Sequence, residues 1–253
     1  KFIVTQQKFN GKGQLLSTTE KLQTTKMLLP PEHLEVSRVS TNEYTGQQWV
    51  IHTKESEKKA LFELNKETIK QSIQELNLKP LEVPKIKPNG NKVLKITYTD
   101  VHVGMHIEND LYDSGFWGED ELNETLKNIV EHCVIAFDNH YKIVVEDLGD
   151  LVDGWNGETT RGGHKLPQNM SNTECFKAAT RFKIELAKEL SLLGVPLEFH
   201  NVVNDNHGGD FSHLVNLHVK EVLSYLLPDV EYHIYTDFIS HYIVGEWAFI
   251  ICH

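Results

Sequence analysis

From Val93 onward the apolar and polar positions switch between two periods. VLKITYT, YKIVVEDL and PLEFHNVV are short runs of strand length, and each is followed by a longer segment with helical spacing. EDELNETLKNIVEHCVIAFDNH opens with acidic residues that suit a helix amino terminus. SNTECFKAATRFKIELAKELSLLG places Ser171 as N-cap and Glu174 at the capping-box position, with Gly194 as its stop. DFSHLVNLHVKEVLSYLLP is the third helix, ended by Pro228. Repetition of strand, loop and helix predicts an α/β sheet with crossover helices. The tail breaks the pattern. EYHIYTD, FISHYIVG and EWAFIIC leave no room for helices and predict a meander in a second sheet packed on the first.

Residues 1–90 are rich in Lys, Gln and Thr, with scattered apolar positions. Alternation from Thr41 to Lys54 predicts a hairpin or strand pair. From Ser56 to Leu76, the residues Leu61, Leu64, Ile69, Ile73 and Leu76 fall near one helical stripe. LKPLEVPKIKPNGNK then brings three prolines and a Pro-Asn-Gly turn signal, the composition of a stiff linker. The predicted division is therefore an N-terminal α+β accessory region, 1–90, and an α/β domain, 91–253.

Composition narrows the class. The chain has 253 residues, 40% hydrophobic and 24% charged, enough for a substantial core. No apolar stretch approaches the roughly 20 residues that span a bilayer, and the first residues lack the features of a signal peptide. A cytoplasmic setting, with no membrane partner, is the expectation. Cys133, Cys175 and Cys252 are far apart, which predicts reduced thiols rather than a disulfide framework. The net charge of −11 argues against a broad basic face for nucleic acid, although divalent cations would reverse the field at a carboxylate-rich cleft.

Three strand-like runs end in metal-ligand residues: ITYTDVHVG with Asp100 and His102, VVEDLGDLVDG with Asp150 and Asp153, and FHNVVNDNHGG with Asn206 and His207. Open α/β sheets bind ligands beyond the carboxyl ends of their strands. The intervals of 50 residues from Asp100 to Asp150 and 56 from Asp150 to Asn206 each accommodate a crossover and a returning strand. Asp150 can bridge two divalent cations, with Asp100 and His102 on one and the Asn206 amide oxygen on the other. His207 is placed to give a proton to a leaving oxygen. Asp153 orients the loop or a ligand rather than binding metal. Arg161 and His164, on the glycine-rich loop after the second strand, are candidates for a phosphate clamp. Trp155 is either a base-stacking platform or an anchor for that loop.

D-x-H, G-D-x-x-D-G and N-H-G, in this order and spacing, resemble the calcineurin-like metallophosphoesterase superfamily. The resemblance covers Val93 to His253. It implies stacked β-sheets flanked by helices, a dinuclear centre in which Mn2+ is the first choice and Fe, Zn or Ni are admitted, and a further ligand in His253 of AFIICH. The superfamily's last motif, G-H-x-H, does not occur in the chain, so the sequence is expected to be part of a longer polypeptide. GDLVDGWNGETTRGGHKLPQNM together with NDNHGG resembles a bacteriophage-encoded, repair-exonuclease-like branch. That branch implies phosphodiester hydrolysis on nucleic acid, DNA first, with residues 1–90 left for a protein partner or self-association. The alternatives are a phosphatase or phosphodiesterase of small esters, and a non-catalytic phage structural protein that keeps the fold.

Overall fold

The computed structural model describes residues 2–9, 15–23, 36–41, 48–52, 54–75, 78–87, 90–107 and 116–253. The chain divides into two compact units, 1–64 and 65–253. The first contains two antiparallel hairpins, β1 (Phe2–Phe9) with β2 (Leu15–Gln23) and β3 (Val36–Thr41) with β4 (Gln48–His52). The second of these includes the pairing expected at 41–54, but its first strand starts earlier, at Val36. Residues 42–47 of that expectation lie outside the described residues. Helix α1 (Lys54–Glu75) matches the helical stripe, and the division between the units falls within it. Ile73 is buried; Leu76 and the side chains of Leu61 and Leu64 are outside the described residues.

In the second unit, β5 (Lys92–Tyr98), β6 (His140–Asp147), β7 (Leu197–Val202) and β8 (Glu231–Tyr235) form one sheet in the order β5-β6-β7-β8, with every pair parallel. The connections are α2 (Glu119–Ala136), α3 (Asn172–Ser191) and α4 (Asp210–Leu226). The remaining pair, β9 (Ile239–Val244) and β10 (Trp247–Cys252), is an antiparallel hairpin. EYHIYTD is thus corrected from meander to sheet strand. The turn from α4 through Pro228 returns the chain beside β7, completing the third strand–helix–strand crossover of the sheet. Only the last two tail runs form the second layer.

Alternation along the strands separates the two faces. Ile143, Val145, Leu197, Phe199 and Tyr232 pack with Leu122, Phe182, Leu186, Leu190, Val215 and Leu223 of the helices. Val144 and Val202, on the other face, pack with Tyr242, Val244 and Ile251 of the hairpin. Helices, sheet and hairpin therefore make three layers. The proline-rich segment belongs to this unit: Leu81 N–H donates to the Leu226 carbonyl at 2.7 Å, Ile86 N–H to the Gly194 carbonyl at 2.9 Å, and Val83 packs against the core. Its stiffness serves as a strap across the bottom of the domain.

Capping at α3 follows the sequence. Ser171 is extended, its hydroxyl accepts the Glu174 N–H at 3.3 Å, and the Glu174 carboxylate accepts the Ser171 N–H at 2.8 Å. Helix α2 ends four residues before the predicted limit, because Phe137 is extended and Asn139 takes a φ of 50°, turning His140 into β6. No described helix is long and apolar enough to cross a membrane.

Candidate metal centre

Beyond the carboxyl ends of β5 and β6 the two loops run side by side. Asp100 N–H donates to the Gly149 carbonyl at 3.0 Å, His102 N–H to Asp150 at 2.9 Å, and Val103 N–H to Leu151 at 2.9 Å; Asp153 N–H returns to Val103 at 3.1 Å. This pairing holds Asp100, His102 and Asp150 at φ values of 55°, 46° and 51°. The left-handed region costs a non-glycine residue roughly 1–3 kcal/mol, and such strain gathers where function needs a particular side-chain direction. Gly149 has φ 109°, and a Cβ there would lie 2.8 Å from His253 Nδ1. That position admits only glycine without displacing the imidazole.

Asp150, buried, is the hub. Its Oδ1 accepts the His207 N–H at 3.1 Å. Its Oδ2 faces three imidazole nitrogens: His253 Nε2 at 3.2 Å and the Nε2 atoms of His102 and His207 at 3.9 Å each. Asp153 sets two of those rings, because its Oδ1 lies 3.1 Å from Nδ1 of both His102 and His207. With Nδ1 donating to that carboxylate, Nε2 is the ring atom turned toward Asp150 in both. The rings stand edge to face at 4.4 Å. His102, Asp150 and His207 thereby satisfy the spacing of a metal-holding group.

Asp100 Oδ1 lies 3.5 Å from His102 Nε2 on one side of this hub. On the other, His253 Nδ1 is held by the Leu148 carbonyl at 2.9 Å while its Nε2 is 2.8 Å from Asn206 Oδ1. An imidazole lone pair, an amide oxygen and a carboxylate oxygen are all acceptors. An acceptor nitrogen with two acceptor oxygens at 2.8 and 3.2 Å suits a cation better than a hydrogen-bond network. The residues around Asp150 therefore include a group that could hold a metal ion.

The acidic surroundings shift these groups in opposite directions. The Thr99 hydroxyl, donating to Asp100 Oδ2 at 2.5 Å, holds the Asp100 carboxyl below its ordinary pKa, with burial opposing and His102 and His253 adding to the lowering. Burial works to lower the pKa of His102, but its bond to Asp153 and the charges of Asp150, Asp153 and Asp100 outweigh it and leave it raised. Asp205 is raised by burial, against the pull of the Gly209 and Gly208 N–H groups.

Of the residues singled out in the sequence, Asp100, His102, Asp150, Asp153, Asn206, His207 and His253 come together. Arg161, His164 and Trp155 do not join them. The Arg161 guanidinium donates to the Asn204 carbonyl at 2.7 Å and to Asn204 Oδ1 at 2.9 Å, while its backbone N–H donates to the Asn206 carbonyl at 3.2 Å. It braces the Asn206 loop. His164 is exposed. Trp155 is half-exposed, with its ring edge-on to Phe211 at 4.8 Å.

Two supporting groups escaped the sequence reading. Asp205 Oδ1 accepts the N–H groups of Gly208 at 2.6 Å and Gly209 at 2.8 Å, closing the turn that presents Asn206 and His207; an Asp three residues ahead of a Gly-Gly pair is the available signal. Lys183, wholly buried, donates to Asp147, to Asn201 Oδ1 at 2.7 Å and to Asn216 Oδ1 at 2.8 Å. Its signal is a lysine on the apolar stripe of α3, between Ala179 and Ala187. No known protein family, curated protein or solved structure matches the chain.

Proposed function

We propose that the chain is a metal-dependent phosphodiester hydrolase of the calcineurin-like metallophosphoesterase type, acting on nucleic acid, with DNA as the first substrate to test. The observation that carries the reading is the Asp150 carboxylate, faced by three imidazoles from three separate loops. Asp100, His102 and Asp150 would hold one cation, and Asp150, Asn206 and His253 a second, with Mn2+ the first candidate. Such cations, when bound, neutralise phosphate oxygens and make water a usable nucleophile.

The residues supply the rest. Asp153 fixes the tautomer of both His102 and His207, so neither ring reorients during turnover. Because Asp100 stands with His102, His207 is left to hold a proton at Nε2 and release it to the departing alcohol, with the Asp153 carboxylate behind Nδ1 stabilising the charged ring. The Arg161 brace keeps the Asn206 loop in place. Recognition of DNA rests on the resemblance to the phage branch.

The protein with Mn2+ is assayed against bis(p-nitrophenyl) phosphate and against single- and double-stranded DNA, beside Asp150→Asn. The expected result is DNA cleavage by wild type and a loss of at least about 100-fold in Asp150→Asn, the scale on which removing a transition-state electrostatic group acts. Equal inactivity of both on every substrate, with no bound metal, overturns the enzyme reading in favour of a structural role. Cleavage of the small ester alone moves the substrate from nucleic acid to a small phosphoester.

A further inference from the structure

The hairpin of β9 and β10 rests on the sheet across a row of titratable residues. Glu146 of β6, His200 of β7 and His233 of β8 are in register, and residues paired across parallel strands project to the same face. Tyr242 of β9 lies flat on the middle one, its ring 3.6 Å from the His200 imidazole at an angle of 16°. The Tyr242 hydroxyl donates to Glu146, which Lys95 of β5 also pairs. The rest of the docking surface is small, with Val144 and Val202 of the sheet against Val244 and Ile251 of the hairpin. On the outer face Ile239, Ile243 and Ile250 are exposed, so docking depends on the inner face. Placing the hairpin on the sheet therefore means burying His200.

Burial makes that ring a poor place for a second proton. His200 is 1% exposed, and its Nε2 makes no hydrogen bond although Glu198 Oε1 lies 3.1 Å away. The Glu198 carboxylate is already engaged: Lys142 of β6 pairs with its Oε2, and His233 Nε2 stands 3.3 Å from its Oε1. On β8, Glu231 faces His233 at 3.6 Å, and the Tyr235 hydroxyl meets His200 Nδ1 at 2.8 Å. An imidazolium under Tyr242 carries a full charge that water no longer reaches. Burial, the largest influence, pushes the His200 pKa down to about 4; His233 and Lys142 act with it, and Glu198 and Glu146 against it.

We infer that His200 and Tyr242 form an acid-sensitive latch: a neutral His200 keeps the hairpin docked on the sheet, and protonation of the imidazole releases it, withdrawing His253 from Asp150. Once released, the ring meets water and returns to the ordinary histidine value of about 6.5. A group whose pKa is lower in the docked state stabilises docking above the free value, and that contribution is lost as pH falls through 6.5 toward 4. Between pH 7 and pH 5 the ratio of docked to released hairpin drops about 20-fold. The inference does not rest on the hydrolase reading.

Amide hydrogen exchange, corrected for its intrinsic pH dependence, reads the opening. A two-stranded hairpin detached from its layer is marginal in water, so release unprotects the amides that pair β9 with β10. The full-length protein is compared at pH 7 and pH 5 with His200→Phe, which keeps a flat ring under Tyr242, and with His200→Gln, which keeps a polar side chain; neither takes up a proton. The hairpin amides of wild type are expected to exchange about 20-fold faster at pH 5, with β6 and β7 still protected, while both variants change less than about threefold. His241 and His253 are present in all three proteins and cancel in the comparison. An equal rise in wild type and variants overturns the latch, as does no rise in wild type, which would mean that Glu198 and the Tyr242 ring accept the proton in place. Loss of protection in β6 and β7 together with the hairpin also overturns it, because the whole domain would then be opening. Should the variants not fold, the wild-type His200 Cε1–H resonance decides: an apparent pKa well below 6.5 is expected by NMR titration, and one at or above 6.5 overturns the latch.

Discussion

Lys183 and Asp147 show how one residue pair links the core to the chemistry. The ammonium is wholly buried and bonded to Asp147, while Oδ1 of the same carboxylate accepts the Gly149 N–H at 3.1 Å, one residue before the Asp150 hub. Burial pulls the pKa of Lys183 down, and Asp147 pushes it back up. Removing one partner of a buried pair leaves an uncompensated charge, whereas removing both charges is far less costly. Lys183→Met is therefore expected to lose about 3–5 kcal/mol of stability, measured by urea unfolding, and adding Asp147→Asn to recover part of that loss. A single-variant loss below about 1 kcal/mol would place the pair among the weak ones. The residues of the candidate centre were legible as a group because Asp, His and Asn recur in order at three strand ends. Roles that depend on loop direction were not. Arg161 turns to Asn204 rather than to the cleft, and Asp153 grips two imidazoles at once. Both depend on loop geometry, which no periodicity announces.

Elements were legible in proportion to the contrast between their faces. Helix α3 carries an apolar stripe, an N-cap serine and a capping-box glutamate, and all three appear as the pattern implies. Ser171→Ala removes the hydroxyl that accepts the Glu174 N–H, with an expected loss of about 1 kcal/mol, read as a lower urea midpoint at unchanged slope. A changed slope would mean that the cap also alters the compactness of one end state. The hairpin of β1 and β2 was not read at all, because Thr, Gln and Ser occupy both faces of FIVTQQKF and LLSTTEKLQ and leave little period-2 signal. Strand β8 was assigned to the wrong sheet for a different reason. EYHIYTD carries Glu231, His233 and Tyr235 on one face, polar enough to resemble an exposed meander, yet that face lies against the hairpin layer and beside Glu198 and His200.

At the scale of the molecule, the order β5-β6-β7-β8 contains no reversal, so the centre does not lie at a strand-order switch. Adjacency replaces the switch: loops after three neighbouring strands meet, and His253, following β10, enters from the hairpin layer. The centre thus needs both the sheet and the hairpin in place. Cysteine reactivity reports whether that assembly is intact. Cys175 is buried in α3, and burial, helped by the charge of Asp153, pushes its thiol up to about 11. At pH 8 its thiolate fraction is then about one in a thousand, three units below the pKa. Cys133 is buried and also raised, whereas Cys252 on β10 is exposed. Iodoacetamide at pH 8 is expected to modify Cys252 first, with Cys133 and Cys175 following only at the rate of unfolding, as read by peptide mass mapping over time. Raising the pH from 8 to 10 should increase any labelling of Cys175 in the folded chain about tenfold per unit. Labelling of Cys175 as fast as Cys252 in native buffer would show that α3 opens away from the sheet on its own, and the centre would then be held by its loops without the support of the helix layer.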